Sequence, residues 1–224
     1  MARAPASRIG IVGDIHGEHQ LLDLAVDHFV RNEVDTILAV GDIVDGRGDV
    51  DACCELLVRS GAIAVRGNHE RWFLAGDMRH LPDATPADGV SAKSRAVLAA
   101  LPATQRLETV RGTLLLCHGM DDDDMSTVRP DDEGYALEAN DPLQRLIRSR
   151  EVAMVVAGHS HCRMVRRFGA LTVINAGTLL AHHKPCFGVI DLPHANVTFF
   201  EPAAGEVVTA DVFTLAGLPA HPRN

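Results

Sequence analysis

The sequence lacks several features that would place it quickly in a class of proteins. Aromatic residues are only 4% of the 224 residues, so a core must be built from Val, Leu, Ile and Ala. No apolar run approaches the roughly 20 residues that span a bilayer, and residues 1–7 lack the apolar stretch of a secretory signal. The five cysteines include no Cys-x-x-Cys pair, which favours buried thiols over a disulfide framework. We therefore expect a cytoplasmic protein with no membrane partner.

Positive charge is also in short supply. Lys and Arg number 21 against 30 Asp and Glu, and the formal net charge is -9. This balance disfavours a nucleic acid polymer as partner, although bound cations can reverse the local field at a phosphate site. No repeat, linker or change of composition divides the chain. We predict a single domain over residues 1–224, with its core over about 8–213, and leave open whether the chain forms an oligomer.

Apolar runs in the first part of the chain alternate with stretches of helical spacing. Residues 8–12, 35–40 and 62–66 are short apolar runs that predict strands. Apolar residues at helical spacing lie between them, at 18–31 and around 53–57. This alternation predicts right-handed βαβ crossovers and a parallel start to a sheet.

The remaining elements are less regular. In chain order, we predict a loop at 76–91, a helix at 91–101, a hairpin of 107–110 and 113–117 around a two-residue turn at Arg111-Gly112, a helix at 142–150, and strands at 152–156, 164–168, 171–174, 187–191, 197–201 and 207–213.

Aspartate, asparagine and histidine gather at the predicted ends of strands, where open α/β sheets build their ligand sites. Most of them adjoin a glycine, which permits a sharp turn and close backbone approach. The set is Asp14, His16, Asp42, Asn68, His69, His118, His159 and His161. Nitrogen and oxygen donors without thiolate suit Mn²⁺, Fe, Zn²⁺ or Ni²⁺. So many donors exceed the need of one ion and fit two ions that share a carboxylate.

The same residues form ordered blocks that resemble the calcineurin-like metallophosphoesterases. The blocks are Asp14-x-His16, Gly41-Asp42, Gly67-Asn68-His69-Glu70, His118-Gly119 and Gly158-His159-Ser160-His161. Twenty-five residues separate His16 from Asp42, and another twenty-five separate Asp42 from Asn68, which is the family's usual spacing. The end of the chain, from the Gly-His-Ser-His block onward, is similar to small bacterial and archaeal phosphodiesterase-type members.

The resemblance implies a fold and a metal centre. The fold would be a four-layer α/β/β/α sandwich of two mixed sheets, with the metal site at the strand carboxyl ends. The ligands would be Asp14, His16 and His161 for one divalent ion, Asn68, His118 and His159 for a second, and Asp42 as the bridge between them. Mn²⁺ is the first expectation, with Fe, Zn²⁺ or Ni²⁺ also admitted, and the two ions would activate a bridging hydroxide.

The resemblance also implies an acid and a substrate class. His69 would protonate the leaving oxygen while a carboxylate, Glu70 or Asp45, keeps it in place. The substrate would be a phosphodiester or a small nucleotide phosphate. A phosphomonoesterase or phosphoprotein phosphatase, a dinucleoside polyphosphate hydrolase, and a non-catalytic metal-binding scaffold remain as alternatives.

The candidate substrate contacts are Asn68, Arg66 and Arg47. Phosphoprotein phosphatases of the family read Gly-Asp-x-Val-Asp-Arg-Gly, whereas a glycine here displaces the arginine by one place, to Arg47. Arg47 either reaches the phosphate from a different turn or is solvated. Arg66 precedes the Gly-Asn-His-Glu block and is either a phosphate contact or structural.

Three other features admit two interpretations each, and two cysteines have one. The turn at 175–178 either supports the metal site or only ends a strand, and residues 121–124, four consecutive aspartates, either rim the cleft or form a solvated loop. His182 and His183 lie at the surface or line the cleft. Cys117 and Cys162 adjoin candidate ligands, and we predict that both are packing residues.

Overall fold

A computed structural model describes residues 4–203 and 206–215. Its elements are β1 (Arg8–Val12), α1 (His19–Arg31), β2 (Thr36–Ala39), α2 (Val50–Arg59), β3 (Ile63–Ala64), α3 (Asn68–Ala75), α4 (Ala92–Ala100), β4 (Thr104–Thr109), β5 (Gly112–Cys117), α5 (Tyr135–Glu138), α6 (Asp141–Ser149), β6 (Met154–Ala157), β7 (Met164–Phe168), β8 (Leu171–Asn175), β9 (Phe187–Asp191), β10 (Asn196–Ala203) and β11 (Glu206–Thr214).

The strands form two mixed sheets. The first has the order β11-β10-β9-β1-β2-β3, and the second has the order β4-β5-β6-β8-β7. In the first sheet β1, β2 and β3 are parallel, as the strand–helix alternation predicts. In the second sheet the parallel strands are β5, β6 and β8.

Three apolar clusters separate four layers. Val12 and Phe29 belong to the cluster between the first sheet and helices α1 and α2. Ile11 and Val156 belong to a second cluster that joins residues of both sheets. Val155 belongs to a third, between the second sheet and α6. Neighbouring residues of one strand fall in different clusters because side chains alternate across a sheet. This arrangement confirms the predicted α/β/β/α sandwich.

The structure corrects several element predictions. The strand predicted at 62–66 is only two residues long, and α3 begins at once with Asn68. The helix is favoured there because the Glu70 carboxylate accepts a hydrogen bond from the Gly67 amide, as in a capping box. The short helix α5 also went unpredicted. The hairpin turn lies one residue earlier than predicted, because Thr109 pairs with Gly112.

Two expectations concern the chain as a whole. None of the helices in the described part of the chain is long and apolar enough to cross a membrane. Residues 1–3, 204–205 and 216–224 lie outside the described ranges, so the single domain over residues 1–224 stays a prediction.

Candidate metal centre

The candidate ligands converge where the two sheets present the carboxyl ends of their parallel strands. The loop after β1 carries Asp14 and His16, and the loop after β2 carries Asp42. From the second sheet, the loop after β5 carries His118, and the loop after β6 carries His159 and His161. Asn68 is the first residue of α3.

Five of these residues have an unusual backbone conformation. The φ angles of Asp14, His16, Asp42, His159 and His161 are 45°, 47°, 48°, 66° and 58°. Positive φ is uncommon for residues other than glycine, and it costs roughly 1–2 kcal/mol per residue. Strain of this kind persists only where surrounding contacts hold it, and it concentrates at functional sites.

The first donor group comprises Asp14, His16, Asp42 and His161, whose ligand atoms all lie within 4.8 Å of one another. His16 donates from Nδ1 to the Asp45 carbonyl at 2.7 Å, so its Nε2 carries a lone pair. That Nε2 lies 3.4 Å from His161 Nε2, which in turn lies 3.5 Å from Asp14 Oδ1. Two imidazole lone pairs and a carboxylate thus face the same small volume, which is an arrangement that can bind a cation.

The second donor group comprises Asp42, His118 and His159, again within 4.8 Å of one another. Asn68 adds an oxygen, since its Oδ1 lies 2.9 Å from His118 Nε2 and 3.0 Å from His159 Nδ1. His118 donates from Nδ1 to the Val40 carbonyl at 2.8 Å, which aims Nε2 at the site. Asp42 is common to both groups.

Burial and the charges of neighbouring side chains shift the pKa values of these residues. Burial raises the pKa of Asp14 to about 8 and lowers the pKa of His161 to about 3. Burial alone would raise the pKa of Asp42, but the charge and hydrogen bond of His118 outweigh it and hold that pKa below its usual range. The same pairing overcomes burial at His118 and raises its pKa to about 10. A proton on His118 thus balances Asp42, and a bound metal would displace it.

His69 lies beside the donor groups and contacts a carboxylate. Its Nδ1 is 2.8 Å from Asp45 Oδ2, and its Nε2 is 3.9 Å from Asp42 Oδ2. Burial lowers the pKa of His69, but the hydrogen bond to Asp45 and the charge of Asp42 outweigh it and raise that pKa. Of the two carboxylates considered for this contact, Asp45 is the one that makes it.

Glu70 has a different position. It is fully buried, and its two oxygens accept hydrogen bonds from the amides of Asp42 (2.9 Å), Ile43 (2.6 Å), Val44 (3.1 Å) and Gly67 (2.7 Å). Glu70 is therefore not the carboxylate that holds His69, contrary to one of the two alternatives. Successive residues in the first turn of a helix point about 100° apart, so Asn68, His69 and Glu70 reach three different neighbours.

Close backbone approaches fix the ligand loops. A Cβ on Gly67 would lie 2.1 Å from Asp42 Oδ1, so this position admits only glycine. Asn175 donates from Nδ2 to the Gly158 carbonyl, and Thr178 donates from Oγ1 to the Asp14 carbonyl at 2.8 Å. The turn at 175–178 thus contacts the backbone of two ligand loops, which favours a supporting role over a mere strand end.

The candidate substrate contacts lie in different places. Arg47 donates to Asp83 at 3.1 Å, and its side chain is 84% exposed, which matches the solvated alternative. Arg66 lines a cleft of about 370 Å³ that has His118 in its wall. Asn68 lies within the second donor group, as described above.

The acidic stretch at 121–124 lines the same cleft, together with Arg71. Arg71 pairs with Asp124 through two contacts of 2.7 and 2.8 Å, and Arg145 pairs with Asp122 at 3.1 Å. The stretch therefore rims the cleft, but much of its charge is balanced by arginine.

One prediction about a residue near the site differs from the structure, and the exposure of two histidines agrees with a surface position. Cys117 is buried, but Cys162 is exposed, so the prediction that Cys162 packs in the core is wrong; it lies in the loop before β7. His182 and His183 are exposed, and the ring centroid of His183 is 5.6 Å from that of His161.

Sequence reasoning missed Arg79 and Thr85, which both contact the Asp45 carboxylate. Arg79 donates from Nη1 and Nη2 to its two oxygens, each at 2.8 Å, and the Thr85 amide donates to Oδ1 at 2.8 Å. Both residues come from the irregular loop at 76–91. No motif or periodicity in the sequence predicts a contact between that loop and Asp45. The presence of an arginine among turn residues was the one feature that could have suggested an ion pair.

Comparisons with known proteins give a family and a fold. The family model for the calcineurin-like phosphoesterase superfamily domain matches residues 8–194. A metallophosphoesterase from Sphaerobacter thermophilus is 22% identical, with a TM-score of 0.55 and coverage of 91% of this chain and 86% of that one. A hypothetical protein from Pyrococcus horikoshii is 16% identical, with a TM-score of 0.66 and 87% of each chain covered.

A third similar structure is described as a novel archaeal phosphodiesterase, at 15% identity, a TM-score of 0.54 and coverage of 91% of this chain and 99% of that one. A search among curated proteins returned no significant match. Because the family model spans most of the chain and the blocks that it shares converge at one site, the chain belongs to the calcineurin-like phosphoesterase superfamily.

Proposed function

We propose that this protein is a phosphoesterase that uses two divalent metal ions to hydrolyse a phosphodiester or a small nucleotide phosphate. The observation that carries the proposal is the position of Asp42, which belongs to both donor groups. One carboxylate shared by two sets of nitrogen and oxygen donors is the arrangement that a pair of ions requires. Asp14, His16 and His161 would complete one site, and Asn68, His118 and His159 the other.

The donor chemistry fits such ions. Imidazole, carboxylate and amide oxygen without thiolate suit Mn²⁺, Fe, Zn²⁺ or Ni²⁺, and the facing nitrogens of His16 and His161 at 3.4 Å are better satisfied by a cation than by each other. When bound, divalent ions supply water activation at neutral pH and neutralise the phosphoryl oxygens.

His69 is the proposed general acid. Asp45 accepts a hydrogen bond from its Nδ1, which leaves the Nε2 proton free to move to the leaving oxygen. The hydrogen bond to Asp45 and the charge of Asp42 raise the pKa of His69 against the effect of burial, which favours the protonated ring that a general acid needs. Glu70 holds the Asp42 loop in position through three amide hydrogen bonds, and a fourth joins it to the Gly67 amide.

Two observations favour a diester over a phosphate monoester. A monoester carries more negative charge, yet Arg47 is bonded to Asp83 instead of facing the donor groups. The cleft beside His118 carries aspartates along with Arg66 and Arg71. A structural neighbour described as a phosphodiesterase points the same way.

The test is hydrolysis of bis-p-nitrophenyl phosphate, p-nitrophenyl phosphate and a dinucleoside tetraphosphate by metal-stripped protein supplied with Mn²⁺, Zn²⁺, Fe²⁺ or Ni²⁺. We expect the diester to be preferred, and Asp42→Asn to reduce kcat by at least 100-fold. His194→Ala, which changes an exposed histidine in the turn between β9 and β10, serves as the matched control.

The alternatives predict different outcomes. A preference for the monoester would favour a phosphatase, and release of nucleotides from the tetraphosphate alone would favour a polyphosphate hydrolase. Equal turnover by wild type and Asp42→Asn with every metal would reject the catalytic proposal and leave a binding scaffold.

A further inference from the structure

We propose that Arg79 is a positioning residue that acts through Asp45 to hold the proposed acid, His69, in its working orientation. This inference rests on the proposed function and assigns a role to the loop at 76–91, which supplies the arginine. Neither the family blocks nor the two donor groups include Arg79.

The contact between Arg79 and Asp45 is built to fix a carboxylate. The two guanidinium nitrogens meet the two carboxylate oxygens at 2.8 Å each, a bidentate geometry that resists rotation. The Asp45 side chain is only 2% exposed and that of Arg79 is 23% exposed. Removing one partner of a buried pair leaves a charge without compensation, so Asp45 depends on Arg79 for its position.

The two Asp45 oxygens are fully engaged. Oδ1 accepts from Arg79 and from the Thr85 amide, and Oδ2 accepts from Arg79 and from His69 Nδ1. Without Arg79 the carboxylate keeps one contact on each oxygen but loses the bidentate pair that resists its rotation. The His69 ring then loses a fixed partner at Nδ1, and its Nε2 is no longer held 3.9 Å from Asp42.

Arg79 is itself held from several sides. Its Nε donates to the Asp77 carbonyl at 2.6 Å, and its Nη1 also lies 3.3 Å from the Thr85 carbonyl. The guanidinium carbon lies 5.7 Å from the centre of the Phe73 ring, in the helix that begins with Asn68 and His69. Arg79 therefore joins the loop, α3 and Asp45 at one point.

The step that depends on this orientation is departure of the leaving group. Water first loses a proton to solvent; the resulting hydroxide oxygen bonds to phosphorus, the bond from phosphorus to the leaving oxygen breaks, and the Nε2 proton of His69 passes to that leaving oxygen. His69 then regains a proton from solvent. A poorly acidic alcohol needs this proton, whereas p-nitrophenolate leaves readily without it. Damage to His69 positioning should therefore appear with poor leaving groups and not with good ones.

The test compares Arg79→Ala with wild type on two diesters: bis-p-nitrophenyl phosphate, whose leaving group is an aryl oxide, and a dinucleoside monophosphate, whose leaving group is a nucleoside hydroxyl. We expect kcat on the nucleoside leaving group to fall roughly 10–100-fold, a part of the usual contribution of general acid catalysis, and kcat on the aryl leaving group to change less than 3-fold. Added guanidinium should restore much of the loss.

Arg95→Ala is the matched control. Arg95 stacks on the same Phe73 ring at 4.6 Å and donates to the Ala87 carbonyl of the same loop at 3.2 Å, but it makes no contact with Asp45. It should leave the ratio of the two rates unchanged. In an Asp45→Asn background, Arg79→Ala should cost nothing further on the nucleoside substrate, because coupled residues are non-additive.

Equal losses on both substrates, or full additivity with Asp45→Asn, would overturn the positioning role. A second readout separates this failure from failure of the proposed function. In ¹⁵N spectra of the metal-free protein, the His69 Nδ1–H should give a sharp, hydrogen-bonded signal in wild type and in Arg95→Ala, and lose it in Arg79→Ala. If Arg79→Ala loses this signal and the wild type has no phosphoesterase activity, the positioning role is supported and the proposed function is rejected. If Arg79→Ala keeps the signal, the positioning role is rejected.

Discussion

Glu70 shows how one buried side chain organises the centre. Its Oε1 accepts from the amides of Ile43 and Val44, and its Oε2 accepts from those of Asp42 and Gly67. The loop that aims the Asp42 carboxylate between the two donor groups is therefore fastened to the first turn of α3. A substitution that keeps the shape but changes the hydrogen bonding tests this directly.

Glu70→Gln should lower the free energy of unfolding by about 2–4 kcal/mol, because its NH₂ group would face two amide donors that lose their acceptor. Urea unfolding measures this as a lower midpoint at an unchanged m value. Glu55→Gln, at an exposed position of α2, should stay within about 0.5 kcal/mol of wild type. Equal midpoints for the two variants would show that the amides find other partners.

At the scale of elements, α1 packs on the outer face of the first sheet through Leu22, Ala25 and Phe29. His28 joins this contact, with ring centroids 4.3 Å from Phe200 and 5.3 Å from Phe187. Its Nε2 is buried without a hydrogen-bond partner. Burial, and then the charges of Arg31 and Arg8, lower the pKa of His28.

The contact should weaken in acid. The pKa of His28 is lower in the folded chain than its usual value of about 6.5, so below pH 6.5 the unfolded state binds more protons and stability falls as pH falls. His28→Leu should lack this part of the pH dependence. The measurement is the difference in unfolding free energy between the two proteins from pH 7.5 to 5.

As the pH decreases below about 6.5, the unfolding free energy of wild type should fall relative to that of His28→Leu. His182→Leu, which changes an exposed histidine, should run parallel to wild type over the same range. If the difference in unfolding free energy between wild type and His28→Leu did not change with pH, burial at this contact would not disfavour protonation of His28.

At the scale of the whole molecule, the centre lies across the junction of the two sheets. The first sheet supplies Asp14, His16 and Asp42, and the second supplies His118, His159 and His161. A ligand that binds these residues links the two halves of the sandwich. Binding to the folded state alone raises stability by mass action.

Divalent metal should therefore raise the melting temperature of the stripped protein. At 100 times the dissociation constant the gain is about 2.7 kcal/mol, or roughly 5–10 °C for a chain of this size. Asp14→Asn should reduce the shift and His194→Ala, at an exposed position between β9 and β10, should retain it, as followed by thermal unfolding with and without Mn²⁺. Because bound protons must leave the histidines, the shift should be larger at pH 8 than at pH 6. Equal shifts for wild type and Asp14→Asn would place the metal elsewhere.

The sequence determined the strands, their parallel start and the residues that meet at their ends. Asp14, Asp42 and His118 could be found because each follows a buried run at a turn, and the carboxyl ends of parallel strands share an edge. The order and spacing of the blocks were enough to give the family.

Only the tertiary structure decided which residues contact one another across the chain. Asp45, and not Glu70, lies against His69, and Arg79 reaches Asp45 from a loop 34 residues away. Arg47 turned to Asp83 and not to the donor groups. Loops carry no hydrophobic period that fixes where their side chains point, so the partners of Arg79 follow from its position against Asp45 and Phe73. The candidate metal ligands could therefore be predicted from the sequence, whereas the contacts that orient His69 could be identified only in the folded chain.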